Sequence, residues 1–221
     1  MFILVDKPAW YTSADIVRKI KKLYPDEKVW HGGTLDPMAR GLLIIWVGRK
    51  STKKLSKFQK YPKEYITIID FSLETDTWDK DYYKFYKKYK VVEKDWKKFL
   101  MLDDGRLVVA PSKEEISKIL KKIKGEVLLP LPIFSAKKIK GKRLYDIARS
   151  WEKVFLEKKM KIYDYKILNY NFPYLTLWLK VWGGTYIRSI WYYLWKKLWL
   201  WGALVDLNRI AIWPYKLEKL F

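Results

Sequence analysis

Cysteine is absent from all 221 residues. Without it the chain can build no disulfide framework, no thiolate metal site and no thiol nucleophile, and a reducing, cytoplasmic setting fits. Histidine occurs once, at His31, so a metal site built on a His pair is excluded as well. Long apolar runs are also missing. The opening MFILV is cut off by Asp6, too short for the core of a secretion signal, and nothing approaches the roughly 20 apolar residues of a membrane span. The sequence therefore predicts a soluble protein with no membrane contact. Acidic residues are few: 24 Asp and Glu stand against 46 Lys and Arg, a formal charge of +22. A field of that sign and size favours a polyanionic partner, nucleic acid before a membrane surface. Glycine is scarce too. The chain has 10, and 13 tryptophans outnumber them, whereas average usage would give about 15 glycines.

What is present is half apolar, enough for a sizeable core, and 221 residues suit one large domain. Phe2 to Val5 reads as a buried strand. Thr12 or Ser13 can cap a helix that carries Ile16, Val17, Ile20 and Leu23 at helical spacing up to Pro25. A loop from His31 to Pro37 leads to an apolar strand, Leu42 to Val47, ended by Gly48, and Tyr65 to Phe71 is a second β-rich run. Residues 80–100 are dense in Lys, Tyr and Asp and predict a surface excursion with helical parts. Ser112 and Glu115 form a capping box for a helix to about Lys124, with Gly125 as its stop. An extended piece at Leu128 to Pro132, a basic loop at Lys137 to Lys142 and a short helix near Leu144 to Arg149 follow. Strands at 161–172 and 174–182, a helix from about Ile187 to Leu200 and a short C-terminal segment close the chain. Strands and helices mix without a βαβ rhythm, a repeat or a linker, so the expectation is an α+β fold in one domain over residues 1–221.

Two short motifs carry chemistry. His31-Gly32-Gly33-Thr34-Leu35-Asp36-Pro37 places an aspartate on a tight loop, and Gly184-Thr185-Tyr186-Ile187-Arg188 places an arginine where a glycine turn starts a helix. The first lacks the spacing of a phosphate loop. An aspartate before proline is by default a turn cap; with an arginine on a second loop it can instead form a bidentate pair that keeps the carboxylate ionised.

The segments VDKPAWYTS, HGGTLDPMARGLL, KEYITIIDFSLETDT, PIFSAKKIKGKRLYDIAR, GTYIRSI and LNRIAIWPY resemble, in this order, the motifs of the TruB family of tRNA pseudouridine-55 synthases. The match is collinear from about residue 2 to 215. The resemblance implies the pseudouridine synthase fold, a mixed, largely antiparallel sheet flanked by helices around a basic active-site cleft. It implies isomerase chemistry on uridine 55 in the T-loop of tRNA, with no cofactor and no metal, by a cytoplasmic and monomeric enzyme. Carried onto this chain, Asp36 is the catalytic carboxylate acting at C1′, and Arg188 its orienting partner. Tyr65 is a stacking residue and a candidate base for the C2′ proton, and Leu207 lines the uracil pocket. His31 accompanies base flipping, which costs a few kcal/mol of stacking. Lys7, Gly33, Thr34, Leu35 and Tyr186 belong to the substrate-binding motifs. Residues 128–155 correspond to an RNA-clamping insertion, in which Lys137, Lys138, Lys140, Lys142 and Arg143 form a phosphate-contact patch whose binding weakens with salt. The last motif ends close to Phe221, which implies no C-terminal RNA-binding appendage of the PUA type. Ser72, Leu129 and Leu131 depart from the family pattern. Two rivals stay open: a relative acting on another RNA, and a catalytically silent RNA-binding or RNA-folding module, against which the presence of both Asp36 and Arg188 argues.

The tryptophans are the largest departure. Trp10, Trp30, Trp151, Trp195, Trp199, Trp201 and Trp213 stand where the family has glycine. Trp191, Trp195 and Trp199 also recur at i, i+4 and i+8, which predicts an aromatic helix stripe in the core. Indole is the worst substitute where glycine is needed for positive φ or close backbone approach. The expectation is a recoded gene in which UGA specifies glycine but was translated as tryptophan; otherwise overpacking at several buried sites follows.

Overall fold

The computed structural model describes residues 1–49, 58–81, 85–132, 138–139, 142–143 and 156–217. Its centre is one nine-stranded, mostly antiparallel sheet. The main path runs β1 (Phe2–Lys7), β3 (Arg40–Val47), β15 (Ala203–Ile212), β4 (Lys63–Asp70), β14 (Tyr174–Val181), β13 (Glu157–Asn171) and β10 (Gly125–Pro130). Off this path, β2 (Val29–Gly32) pairs with β3 and β16 (Tyr215–Lys216) with β15. Only β3 and β15 run parallel, through the pairs Arg40 with Asn208 and Gly41 with Arg209. Gly41 is required there: its φ is +105°, and a Cβ would lie 2.4 Å from the Arg209 carbonyl oxygen.

The apolar run of β3 is continuous because both faces are covered. Leu43, Ile45 and Val47 pack with Ile16 and Val29 under α1 (Ser13–Leu23), while Leu42, Ile44 and Trp46 pack with Ile212 on the opposite side. The main core lies on the other half of the sheet. There Ile116 and Leu120 of α2 (Lys113–Lys122) and Ile190, Trp191 and Leu194 of α3 (Ile187–Leu198) meet Leu175, Leu177 and Leu179 of β14. Both capping boxes are present: Thr12 Oγ1 accepts from the Asp15 amide at 3.0 Å, and Ser112 Oγ from the Glu115 amide at 3.1 Å. Each satisfies an otherwise orphan donor and contributes about 1 kcal/mol.

Three sequence expectations are corrected. Residues 80–100 contain strands, not helix: β5 (Leu73–Thr75) pairs with β6 (Tyr86–Lys88), and β7 (Lys90–Lys94), β8 (Lys97–Met101) and β9 (Leu107–Val109) form a small sheet. The alternation there is obscured by lysines, since the three strands are largely solvent-facing. His31 and Gly32 belong to β2 rather than to a loop. The C-terminal segment is a ten-residue strand, β15, in the middle of the sheet. Its alternation is broken by two β-bulges, at Leu204/Asp206 and Arg209/Ala211, which hide the period of two. The helix expected near Leu144 to Arg149 lies outside the described residues, as do Lys137, Lys140 and Trp151. Of the basic loop, only the backbone pairing of β11 (Lys138–Ile139) with β12 (Lys142–Arg143) is described. Among the described residues no helix is long and apolar enough to cross a membrane.

Candidate active site

β4 and β15 pair antiparallel with Tyr65 opposite Arg209 and Thr67 opposite Leu207. Between the two bulges of β15, Leu207 and Arg209 therefore share a face with Tyr65 and Thr67 of β4, and Lys63, Tyr65, Leu207 and Arg209 make a common floor. α3 covers part of that face, where the Trp191 indole N–H donates to Thr67 Oγ1 at 3.1 Å. Beyond its N-terminus the floor opens into a cleft of about 490 Å³, also lined by Thr34, Leu35, Asp36, Gln59, Lys158 and Gly184 to Arg188.

The aspartate loop forming one wall is fastened at nearly every residue. Arg209 Nη2 donates to the Gly33 carbonyl at 3.1 Å, and Ser13 Oγ accepts from the Leu35 amide at 3.0 Å. The Pro37 carbonyl takes the Trp10 amide at 2.7 Å and the Lys7 ammonium at 3.3 Å, and Asp81 Oδ2 accepts from the Met38 amide at 3.2 Å. The KPAWYTS segment thus acts as a clip on HGGTLDP, a long-range role that neither motif announces alone.

Asp36 and Arg188 meet as expected. Arg188 Nη2 donates to Asp36 Oδ1 at 3.3 Å and its Nε lies 3.2 Å from Oδ2. The guanidinium is buried and is shared: Nη1 sits 3.0 Å from Asp79 Oδ2 and donates to the Thr77 carbonyl at 3.1 Å. Burial pulls the Arg188 pKa down, but the charges on Asp36 and Asp79 more than offset it, so it stands above its ordinary value. Asp79 is also buried, which pushes its carboxyl up to about 6, against the opposing pull of Arg188. Of the two carboxylates held by Arg188, Asp36, with its side chain 35% exposed, lines the cleft, and Asp79 does not.

Of the other sequence-predicted residues, Tyr65, Thr34, Leu35, Tyr186 and Leu207 line the cleft. Lys7 does not: it is wholly buried, and its ammonium is given to the carbonyls of Pro8, Tyr11 and Pro37, so it positions the Asp36 loop instead of reaching a substrate. Gly33 is not among the lining residues; it has φ +86° and lies beside Lys63 and Arg209, which are. His31 is not among the lining residues; it sits on β2, stacked at 5.7 Å against Trp30, with a buried Nδ1 that has no partner among the described residues. Burial, with Arg209 nearby, lowers its pKa. Sequence reasoning missed Lys63, Asp79 and Arg209. Lys63 and Arg209 lie in quoted motifs, KEY and LNR, and Asp79 lies two residues beyond ETDT, but only the fold shows that all three side chains turn inward.

The backbone is similar to that of a Cbf5-Nop10-Gar1 complex, with a TM-score of 0.68 at 22% identity, covering 99% of this chain and 50% of that one. It is also similar to an H/ACA RNP bound to a substrate RNA containing 2′-deoxyuridine, with a TM-score of 0.65 at 22% identity and coverages of 99% and 49%. The chain thus spans about half the length of these solved chains. The class defined is the pseudouridine synthase fold. A family model described as TruB family pseudouridylate synthase (N terminal domain) matches residues 21–111 and 87–187. A tRNA pseudouridine synthase B of Caldicellulosiruptor saccharolyticus is 38% identical over 220 residues, 99% of this chain and 69% of the relative. Its counterpart in Aquifex aeolicus is 34% identical over 220 residues, 98% and 70%. The chain belongs to the TruB family of pseudouridylate synthases, and its reaction class is isomerisation.

Proposed function

We propose that this tRNA pseudouridine synthase acts on uridine 55 of the T-loop, with Asp36 as the carboxylate that works at C1′ of a flipped-out nucleotide. The bond from C1′ to N1 breaks, the base turns, and a bond from C1′ to C5 forms. The C5 proton leaves and N1 takes one up, so the reaction is an isomerisation with no net redox change. The observation that carries this reading is the Asp36–Arg188 pair on the cleft wall, in a family whose members are pseudouridylate synthases.

The other groups take roles their chemistry allows. Tyr65 offers an aromatic face for the uracil and a phenol for proton transfer. Leu207 closes the apolar side of the pocket, and Tyr186 and Thr34 border the sugar. Arg188, fixed from below by Asp79, holds Asp36 in one orientation before substrate arrives, which is where preorganised electrostatics gain most. The segment 128–155, of which the end of β10 and the pairing of β11 with β12 are described, is assigned the part of a basic clamp on the T-arm. The +22 charge supplies long-range, salt-sensitive attraction. The protein is read as a monomer.

Incubation with unmodified tRNA followed by pseudouridine mapping tests this. Product at uridine 55 that disappears in Asp36→Asn, while that variant still binds RNA, is the expected result. No product at that uridine sinks the assignment of site, and product surviving Asp36→Asn sinks the role of Asp36.

A further inference from the structure

The cleft holds two buried cations that the reaction above does not use. Lys63 and Arg209 are 4% and 1% exposed, and both line the cleft. Neither pairs with a carboxylate among the described residues. Lys63 Nζ donates to the carbonyls of Gln59 and Tyr61, both at 3.0 Å. Arg209 uses Nε on the Leu42 carbonyl at 2.7 Å and Nη2 on the Gly33 carbonyl at 3.1 Å. The two side chains approach each other beside Gly33: a Cβ built there would lie 3.5 Å from Lys63 Cε and 3.6 Å from Arg209 Nη1. Asp36 is the one acid among the lining residues, and it is held by Arg188. Two buried charges without counter-ions are costly unless a ligand supplies the anion.

We infer that Lys63 and Arg209 form a seat for one backbone phosphate of the RNA, adjacent to the flipped uridine, in the cleft that Asp36 and Arg188 also line. The inference rests on the proposed RNA reading of the cleft. Burial together with the charge of Arg209 lowers the Lys63 pKa to about 7, and a phosphate bound beside it would raise it. The seat would fix the sugar-phosphate at one end while Asp36 meets C1′ at the other.

A double-mutant cycle tests the seat. T-arm RNA hairpins carry a neutral methylphosphonate at the phosphate on the 5′ or the 3′ side of the target uridine, and their dissociation constants are measured with wild type and with Lys63→Gln. One of the two replacements should weaken wild-type binding by roughly 10-fold and Lys63→Gln by less than about 2-fold. Equal losses in both proteins at both positions overturn the seat. The same wild-type protein is assayed for product on the unsubstituted hairpin: modification with an additive cycle sinks the seat alone, and no modification sinks the RNA reading with it.

A different observation carries a second inference. Among the described residues other than glycine, five have positive φ: Trp10 at 69°, Trp78 at 64°, Asp95 at 51°, Trp96 at 63° and Trp199 at 55°. Such φ is uncommon outside glycine, asparagine and aspartate, and for a bulky residue it is an outlier. Four of these five are tryptophan. Each sits in the left-handed region, which favours glycine. Trp96 is the second residue of the two-residue turn between β7 and β8, after Asp95, and a turn with positive φ at both positions favours Asp-Gly. Trp199 is the left-handed cap of α3, a place usually taken by glycine. Trp10 presents its amide to Pro37 beside Asp36, and Trp78 lies between Thr77 and Asp79. Of the seven family glycine positions singled out from the sequence, Trp10 and Trp199 have positive φ, Trp30, Trp195, Trp201 and Trp213 do not, and Trp151 lies outside the described residues; Trp78 and Trp96 are added by the backbone alone. Trp199 is 87% exposed and Trp96 97%, which removes the core-stripe reading for Trp199 and shows that their cost is backbone strain, not overpacking.

We propose that the native protein has glycine at positions 10, 78, 96 and 199. UGA codons there, with glycine in the peptide masses of the native protein, are expected; UGG codons overturn the proposal. Independently, replacing the exposed Trp10, Trp96 and Trp199 by glycine should raise the melting temperature by roughly 2–4 °C per site, and an unchanged or lower value counts against it; Trp78 is left out of this test because its ring packs against the core, stacked on Tyr192 at 4.1 Å.

Discussion

Arg188 holds Asp36 from below while its other arm stays with Asp79, so one buried guanidinium spans two carboxylates, of which Asp36 is the cleft-lining one. The arrangement explains why an arginine is needed. A lysine is a point charge and cannot satisfy two acids through a fork.

Arg188→Met should therefore cost stability as well as activity. It leaves Asp79 buried and unpaired, a loss of about 3–5 kcal/mol, read from urea denaturation. Adding Asp79→Asn should restore most of that stability without restoring product. Recovery of activity in the double variant would contradict the orienting role.

The pH dependence of Asp79 has a definite sign. Its carboxyl titrates near 6 in the folded protein against an ordinary 3.8, because burial disfavours the charge. Between those values the folded state holds more protons than the unfolded one, so this group's contribution is present at low pH and lost as pH rises from about 4 to 6. Its size is up to about 3 kcal/mol. Denaturation of wild type and Asp79→Asn at pH 4 and pH 6 should show the gap between them shifting against wild type at the higher pH.

Lys63 behaves in the opposite sense. Burial, with Arg209 nearby, lowers its pKa from 10.5 to about 7, so between those values the unfolded chain binds the extra proton and stability rises with pH. Lys63→Met should be more stable than wild type near pH 7, and the advantage should shrink toward pH 10 by roughly 4–5 kcal/mol at most. A pH-independent difference would mean that Lys63 is not buried as described.

Tyr65 lies on the cleft floor, 6% exposed, with no hydrogen bond described for its hydroxyl. Tyr65→Phe should keep stability within about 1 kcal/mol and keep RNA affinity, because the ring remains. Product formation should fall by roughly 10²–10⁴-fold if the phenol moves a proton, measured in single turnover. Full activity in Tyr65→Phe would leave the residue a stacking role only.

Much of this protein is written in short-range spacing. Helix caps at Thr12 and Ser112, the period of α1 and α2, the apolar run of β3 and the motifs around Asp36 and Arg188 depend on residues a few positions apart. They are legible in one dimension because hydrogen-bonding and side-chain period are local properties. Asp36 and Arg188 are 152 residues apart: opposite charge on two glycine-flanked loops offered their pairing as one possibility, and the family resemblance singled it out. The inward turn of Lys63, Asp79 and Arg209, the withdrawal of Lys7 from the cleft and the insertion of β15 beside β4 follow from sheet register, which sums many distant contacts and leaves no periodic trace. The same holds for the tryptophans: composition marks them as too many, and their φ angles show which backbone positions cannot accept them. Burial, which decides whether a charged side chain is solvated or waits for a partner, belongs to the assembled sheet and its covering helices.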